Sequence, residues 1–363
     1  MENKFNSTIL VAPLDWGLGH ATRCIPLIRH LQLLDCVVII AAERAQENLL
    51  KQEFPLLEFV YLPGYRIKYT RNKYFFLFAI ILQLPKIYSA IRKEKKWLNN
   101  FINERPVDAV ISDNRYGLSH TKVRSVFITH QLMVKAPFVL VEKIIQKLNY
   151  KFLSKFSECW IPDEEGKVNF AGRLSHPKTL PSKSVTYLGG LSRFERKELP
   201  VKYDLLIVLS GPEPQRTIFE NIMLSEVKMF RGKVLMVRGL PGEANILPFA
   251  KHVTIKNHLS ATEMEMAFNA SEYIISRTGY TTVMDICKLK KKAILIPTPG
   301  QTEQEYLADH LYKQGWCLTI NQHGFSLTKA LSQAMTFPFK IPALDMDYYK
   351  KIVEQLVTSL HHQ

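Results

Sequence analysis

Strand-length apolar runs that end in a glycine turn and give way to a helical pattern constrain this chain more than any other feature. The sharpest case is Ser276-Arg-Thr-Gly-Tyr-Thr-Thr-Val-Met-Asp285, followed by Ala293-Ile-Leu-Ile-Pro297 and Gln301-Thr-Glu-Gln-Glu305. It reads as a strand ending at Ser276, a tight turn at Gly279, a helix carrying Asp285, a second strand, and a polar loop opening another helix. Glycine at 279 lets the backbone approach an anion closely, and free N–H groups at a helix start attract negative charge. A carboxylate further along, Asp285, can accept from ribose hydroxyls. The pattern points to a site for a nucleotide diphosphate-sugar.

The same alternation runs through both halves. Strands are expected at Thr8–Ala12, Cys36–Ala42, Val107–Asp113 and Ser125–Thr129, with a helix from about Ala21 to Leu33. Their nearly continuous apolar character is that of parallel strands covered on both faces. After a Gly-, Pro- and charge-rich linker over Thr186–Pro200 the pattern restarts, with strands at Tyr203–Ser210, Lys233–Val237, His252–Ile255, Tyr273–Ser276 and Ala293–Ile296. The fold expected is α/β, with two Rossmann-like doubly wound parallel-sheet domains facing across a cleft. Residues 1–190 form the first domain and 191–345 the second, with 346–363 a C-terminal helical segment. Ligands of such sheets sit at strand carboxyl ends, which marks Ser210, Ser276, Asp113 and the turn after Ala12.

The 363 residues, 47% hydrophobic and 22% charged, suit two soluble-type domains. Met-Glu-Asn-Lys-Phe-Asn-Ser leads straight into a strand without an apolar signal segment, so export is not expected. Five scattered cysteines without a Cys-x-x-Cys pair argue for reduced core residues rather than disulfides or zinc. A net charge of +15 demands an anionic partner: a membrane surface, nucleic acid or a phosphorylated substrate. Between Arg66 and Lys96 nine cations face Glu94 alone, around the apolar run Tyr74–Leu84. That run is about half the length needed to span a bilayer. It is either a core helix or an interfacial segment, and residues 66–97 are the expected membrane-facing region. Asp345-Met-Asp347 has the look of a metal motif, but it precedes the helical pattern Tyr348–Leu360, where carboxylates suit the helix start, so no metal site is expected.

Taken together these motifs resemble the GT-B glycosyltransferases of family 28. Ser276–Asp285, Pro297 and Gln304 follow that family's donor motif, with Asp285 where a ribose-binding glutamate is usual. Gln304 and Glu305 match the pair that contacts sugar hydroxyls, Glu305 replacing a common glutamine. Ser210-Gly-Pro-Glu-Pro-Gln-Arg216 resembles the diphosphate turn, with proline in place of a glycine. Asp15-Trp-Gly-Leu-Gly-His-Ala-Thr-Arg23 is similar to the family's Gly-x-Gly-Gly-His turn, placing Gly17 and Gly19 on the acceptor side and His20 near the acceptor hydroxyl. The resemblance implies an inverting transfer of a hexose or N-acetylhexosamine from a UDP-sugar to a lipid or lipid-linked acceptor. It further implies no cofactor and no obligatory metal, and a C-terminal helix that crosses back to the first domain. Such an enzyme would sit at the cytoplasmic membrane face.

The chemistry asks for the same groups. Inverting transfer needs a base for the acceptor proton, and a near-neutral imidazole, His20, serves. Asp113 could orient His20, bind the acceptor, or act as base itself; His130 of Thr129-His-Gln131 lines the acceptor side. Charge develops on the departing diphosphate, so fixed donors there matter most. The candidates are amides around Thr278–Thr281, Thr282, Ser210 and the Arg216 guanidinium, with Arg277 set aside as facing away. Three rivals remain. A nicotinamide enzyme would use Gly17-x-Gly19 with Glu43 but lacks the third glycine. A nucleotide-sugar epimerase would share the donor pocket. A basic nucleic-acid- or lipid-binding protein would need a recognition motif, and no aromatic RNP box or Cys/His finger occurs, so nucleic acid is not an expected partner.

Overall fold

The computed structural model describes residues 7–66, 76–135, 139–181, 184–240 and 249–361, with the side chains of 76–82 and 139 left aside. These residues form two compact units, one running to Arg193 and resuming at Asp345, the other chiefly Phe194–Leu344.

The first unit holds a seven-stranded sheet: β1 (Thr8–Pro13), β2 (Val37–Ala42), β3 (Glu58–Tyr61), β4 (Ala109–Asp113), β5 (Arg124–Ile128), β6 (Glu158–Ile161) and β7 (Ser184–Tyr187). All pairs are parallel, in the order β3-β2-β1-β4-β5-β6-β7. Helices α1 (Leu18–Leu33), α2 (Arg44–Glu53), α3 (Phe76–Glu104) and α4 (Val139–Leu153) connect them. Ile9 to Ala12 are wholly inaccessible, as strands covered on both faces must be. Chain order reverses between β1 and β4, so the loops leaving these neighbours diverge and leave a crevice at their carboxyl ends.

The second unit repeats the design with β8 (Tyr203–Val208), β9 (Val234–Val237), β10 (Val253–Lys256), β11 (Ser271–Ser276), β12 (Lys292–Leu295) and β13 (Leu318–Thr319). Its parallel order is β10-β9-β8-β11-β12-β13, with the reversal between β8 and β11. Helices α5 (Gln215–Val227), α6 (Ala261–Asn269), α7 (Tyr280–Leu289), α8 (Thr302–Lys313) and α9 (Leu327–Thr336) belong to it. Phe219, Met223, Ile207, Ile275 and Ile294 fill its core. The doubly wound parallel-sheet class expected from the strand pattern is the fold observed.

The chain leaves the first unit after Arg193 and returns at Asp345, against expected boundaries of 190 and 346. Gly189 has φ 71°, and a Cβ there would fall 2.0 Å from the Asp345 carbonyl oxygen. The outgoing and returning segments therefore touch, and Gly190 N donates to Asp345 O at 3.3 Å. Beyond them α10 (Tyr348–Leu360) packs on α1 within the first unit, where His30 Nε2 lies 3.2 Å from Glu354 and edge-on to Tyr349.

Several elements depart from the sequence reading. Helix α1 starts at Leu18 rather than Ala21, because Gly17 completes the turn on its own. Strands β3, β6, β7 and β13 went unread: β3, β7 and β13 are edge strands of two to four residues, partly exposed, with weak apolar signals, and the interior β6 is only four residues long. Of the apolar run Tyr74–Leu84, Tyr74 and Phe75 lie outside the described residues, as do the side chains to Leu82. Helix α3 continues through Pro85 for 29 residues. Its inner face buries Ile91, Leu98 and Phe101, while Leu84, Lys86, Tyr88, Arg92, Lys93 and Lys96 are exposed. The buried Glu94 accepts from Arg115 Nε at 2.7 Å, from Tyr65 OH at 2.8 Å and from Gly117 N at 3.0 Å. Arg115 also donates to the carbonyls of Pro13 and Pro63. One ion pair thus ties α3 to the loops after β1, β3 and β4. Among the described residues no helix is long and apolar enough to cross a membrane.

Candidate active site

Pro13 and Asp113 end β1 and β4 in register with each other, at the reversal of the first sheet. Gly17 follows with φ 74° and ψ 169°, a conformation essentially restricted to glycine, and a Cβ on it would meet nothing within 4 Å. The backbone path, not crowding, demands glycine here. With α1 starting at Leu18, Gly19 and His20 occupy its first turn, and Arg23 lies three residues on, along the same face.

These side chains converge on Asp113, which is fully buried. Its carboxylate accepts from Arg23 Nε at 2.8 Å and from Arg23 Nη2, the bidentate fork that suits a desolvated pair. His20 Nδ1 lies 3.2 Å from both carboxylate oxygens, and the Cys24 thiol donates at 3.7 Å. Arg23 Nη1 donates to His130 Nδ1 at 3.0 Å, so His20, Asp113 and His130 form one cluster around a guanidinium. Burial would raise the Asp113 pKa, but Arg23 and His20 outweigh it and hold the carboxyl at about 2. His20 is lowered from its usual value, by burial above all and by Arg23 and His130, against the pull of Asp113. The shift favours the neutral imidazole.

Two contacts compete for His20 Nδ1, since Arg23 Nη2 also reaches it at 2.9 Å. When Nδ1 donates to Asp113, the Nε2 lone pair is left to take a proton. Asp113, with no accessible surface and its oxygens occupied, is placed to orient His20 rather than to meet an acceptor. Asp15 accepts from the N–H groups of Tyr65 and Arg66, and Glu43 from Gly64 N and Arg66 Nη2. Hydrogen bonding by Arg66 draws the Glu43 pKa down to about 2. The acid that a dinucleotide fingerprint would need for ribose is thus already engaged.

In the second unit the reversal lies between β8 and β11. Ser210 is exposed and Gly211 has φ 105°; a Cβ on Gly211 would come 3.9 Å from the Thr298 hydroxyl. The loops after β8 and β12 therefore meet beside the turn after β11. In that turn Thr278 is fully buried, and Gly279 caps α7 with φ −77°, an ordinary extended conformation. The tight turn expected at Gly279 is absent: a side chain there would make only a 3.7 Å contact with Thr282 Oγ1. Neither strain nor crowding within the fold calls for this glycine. The Thr278 and Thr298 hydroxyls are buried with no hydrogen-bond partner. Unsatisfied donors in the loops after β11 and β12, with an α7 N-terminus that has no side-chain cap, are the features of an anion cradle.

Thr281 and Thr282 are half-buried in the first turn of α7, and Asp285 is buried one turn further. Gln304 Oε1 accepts from Thr298 N at 2.9 Å and Glu305 from Gly300 N at 2.8 Å, so both side chains shape the loop after β12. Arg216 is 7% exposed and held by Glu213 at 2.5 Å and Glu220 at 2.9 Å, its fork spent on carboxylates. Asp347 pairs with Lys350 at 2.8 Å, and Asp345 accepts from Asp347 N. Among the described residues no group of three metal-ligating side chains occurs. Sequence reasoning missed Arg23 and Thr298. The first was legible as the i+3 neighbour of His20; the second carries no local signal, because strand order alone brings it to the cradle.

Fold and strand-edge sites together define the GT-B architecture. The structure aligns with the glycotransferase of kitacinnamycin at a TM-score of 0.65, with 13% identity over 98% of this chain and 95% of that one. It aligns with MurG of Acinetobacter baumannii at 0.56, with 13% identity over 98% of this chain and 100% of that one. Residues 243–346 match the glycosyltransferase family 28 C-terminal domain. Over 146 residues the chain is 27% identical to the UDP-N-acetylglucosamine--N-acetylmuramyl-(pentapeptide) pyrophosphoryl-undecaprenol N-acetylglucosamine transferase of Haemophilus ducreyi. That match covers 39% of this chain and 41% of the relative, so the chain spans well under two thirds of that relative's length. The chain is a GT-B protein with a family 28 glycosyltransferase C-terminal domain, and the resemblance drawn from its motifs stands.

The Asp113 cluster sets a pH signature. A carboxyl held at about 2, below its unfolded value of about 4, contributes stability that is complete above pH 4 and lost as pH falls toward 2. Asp113→Asn leaves Arg23 buried without a counter-charge and should cost about 3–5 kcal/mol in urea unfolding at pH 7. The difference from wild type should shrink between pH 4 and pH 2; a difference that stays constant there would remove Asp113 as its source.

Proposed function

We propose that this protein is an inverting, metal-independent glycosyltransferase that moves a hexose or N-acetylhexosamine from a UDP-sugar to a lipid or lipid-linked acceptor. The observation that carries this reading is the family 28 C-terminal domain over 243–346, which holds the α7 start and, in the loops after β11 and β12, the Thr278 and Thr298 hydroxyls, buried with no partner among the described residues. The Haemophilus relative is named for an undecaprenol-linked acceptor and a UDP-N-acetylglucosamine donor, which supports the same classes of substrate here.

In the proposed reaction the acceptor oxygen attacks the anomeric carbon from the face opposite the nucleotide. The bond from that carbon to the β-phosphate oxygen breaks, and UDP leaves carrying the electron pair. His20 Nε2 takes the acceptor proton, while Asp113 holds the imidazole through Nδ1 and stabilises it once charged. Main-chain amides at Gly279–Thr281, with the hydroxyls of Thr278 and Thr298, meet the charge that grows on the diphosphate. Asp285 accepts from the ribose. Arg216 is removed from the ligand set, because Glu213 and Glu220 already neutralise it.

Membrane contact at the cytoplasmic face completes the proposal. Besides the basic outer face of α3, α4 exposes Leu140, Ile144 and Leu148 at four-residue spacing, interleaved with exposed Lys143, Lys147 and Lys151. Phe152 of α4 and Ile87 of α3 pack against the same cluster of Leu14, Tyr65 and Ile91, so both helices meet at one patch of core. Apolar side chains between lysines suit an anionic lipid surface.

UDP release from a UDP-sugar should require added lipid acceptor; acceptor-independent conversion of the sugar would instead mark an epimerase. His20→Ala should lower acceptor-dependent turnover about 100-fold or more with UDP affinity intact, and near-normal turnover would take His20 out of the chemistry. By calorimetry, Asp285→Ala should weaken UDP binding by about 1.5–3 kcal/mol, and unchanged affinity would refute the ribose assignment. Leu140, Ile144 and Leu148 all changed to serine should abolish sedimentation with anionic liposomes at unchanged Tm; full binding would rule α4 out as a lipid contact.

A further inference from the structure

Among the fully buried side chains are three arginines, Arg23, Arg115 and Arg277. Burying a guanidinium is costly unless it is paired, and two of the three obey: Arg23 has Asp113 and Arg115 has Glu94. Arg277 does not. It follows β11 directly, lies 1% exposed with its guanidinium 4.2 Å from the Phe219 ring centroid, and makes no ion pair with any described carboxylate.

Its hydrogen bonds go to neutral acceptors. Nη1 donates to the carbonyls of Ile296 at 3.3 Å and Pro297 at 3.4 Å; Nη2 donates to the Gln215 carbonyl at 3.0 Å and to Gln322 Oε1 at 2.6 Å. Nε is buried without a partner. These acceptors lie in the loop after β12, at the start of α5, and in the loop after β13. One side chain therefore fastens three loops to the end of β11, where the Thr278 hydroxyl stands unsatisfied next to it. Burial alone draws the Arg277 pKa down to about 10, with no acid opposing. The neighbouring Arg216 and Arg238 are different, being offset by Glu213 and Glu220.

We propose that Arg277 is a positioning residue for the donor. It is a buried cation kept without a carboxylate so that the bound diphosphate supplies its counter-charge, while its fork aligns the loops that hold that diphosphate. It touches no ligand atom. It acts through the low-dielectric edge of the sheet, where a fixed charge is felt across several ångströms, and through the loops it binds. This inference rests on the donor site proposed above.

Gln322→Glu tests it, because the new carboxylate would give Arg277 a partner at the place of the present 2.6 Å contact. The expected result is a free protein with a higher Tm than wild type and a UDP affinity lower by about tenfold or more, with uridine affinity unchanged. A destabilised fold cannot give that combination. Arg277→Lys, which keeps the charge but loses the fork, should lose less UDP affinity than Arg277→Gln, which loses both. If Gln322→Glu binds UDP as tightly as wild type, or loses uridine in equal measure, the inference falls and the donor site stands. If wild type itself binds no UDP by calorimetry, the donor site falls and Arg277 has no ligand to serve.

Discussion

The reversal of strand order inside each all-parallel sheet is the constraint from which the sites follow. At that point the loops of adjacent strands run to opposite faces, and the backbone cannot close the gap between them. In the first sheet the gap lies between β1 and β4 and receives His20 and Asp113. In the second it lies between β8 and β11 and receives the Ser210–Gly211 turn and the start of α7. Neither site needs a dedicated element. Each is what a doubly wound sheet leaves open, furnished by residues that follow the strands.

Electrostatics then separates the two edges. The acceptor edge proposed here is internally balanced: Arg23 pays for Asp113, and the pair fixes His20 and His130 in one arrangement. A single substitution there disturbs charge, orientation and stability together, since the same atoms serve all three. The nucleotide edge is left incomplete. Among the described residues the hydroxyls of Thr278 and Thr298 and the Nε of Arg277 have no hydrogen-bond partner and the Arg277 guanidinium no carboxylate, and incompleteness of this kind inside a protein is energetically unfavourable. It persists where something outside the chain completes it.

Much of this was legible in the sequence because the parallel strands are buried on both faces and read as uninterrupted apolar runs. Thr8–Ala12, Val107–Asp113 and Tyr273–Ser276 announced themselves, and the residues that follow them stand at the strand carboxyl ends that the pattern marked. Edge strands such as Glu58–Tyr61 and Leu318–Thr319 have one neighbour and partly exposed sides, so composition does not betray them. Gly279 shows a subtler limit. The sequence suggests a turn glycine, yet its backbone is one any residue adopts, and a Cβ there would touch only Thr282 Oγ1. Gly17 is the converse, a glycine whose conformation is the whole reason. That Arg216 is paired with carboxylates while Arg277 is buried among neutral acceptors has a cause that the sequence alone does not reveal. Which guanidinium meets Glu220 depends on how α5 packs against the ends of β9 and β11.

The contact between Gly189 and the Asp345 carbonyl carries a last consequence. Because the outgoing and returning segments lie side by side on the first unit, everything from Phe194 to Leu344 is topologically a cassette inserted at one point of a continuous host. Such an insertion can be exchanged without rethreading the host sheet. A lineage could therefore replace one contiguous block of sequence, the whole of β8 to α9, while the seven-stranded sheet and the Asp113 cluster are inherited intact.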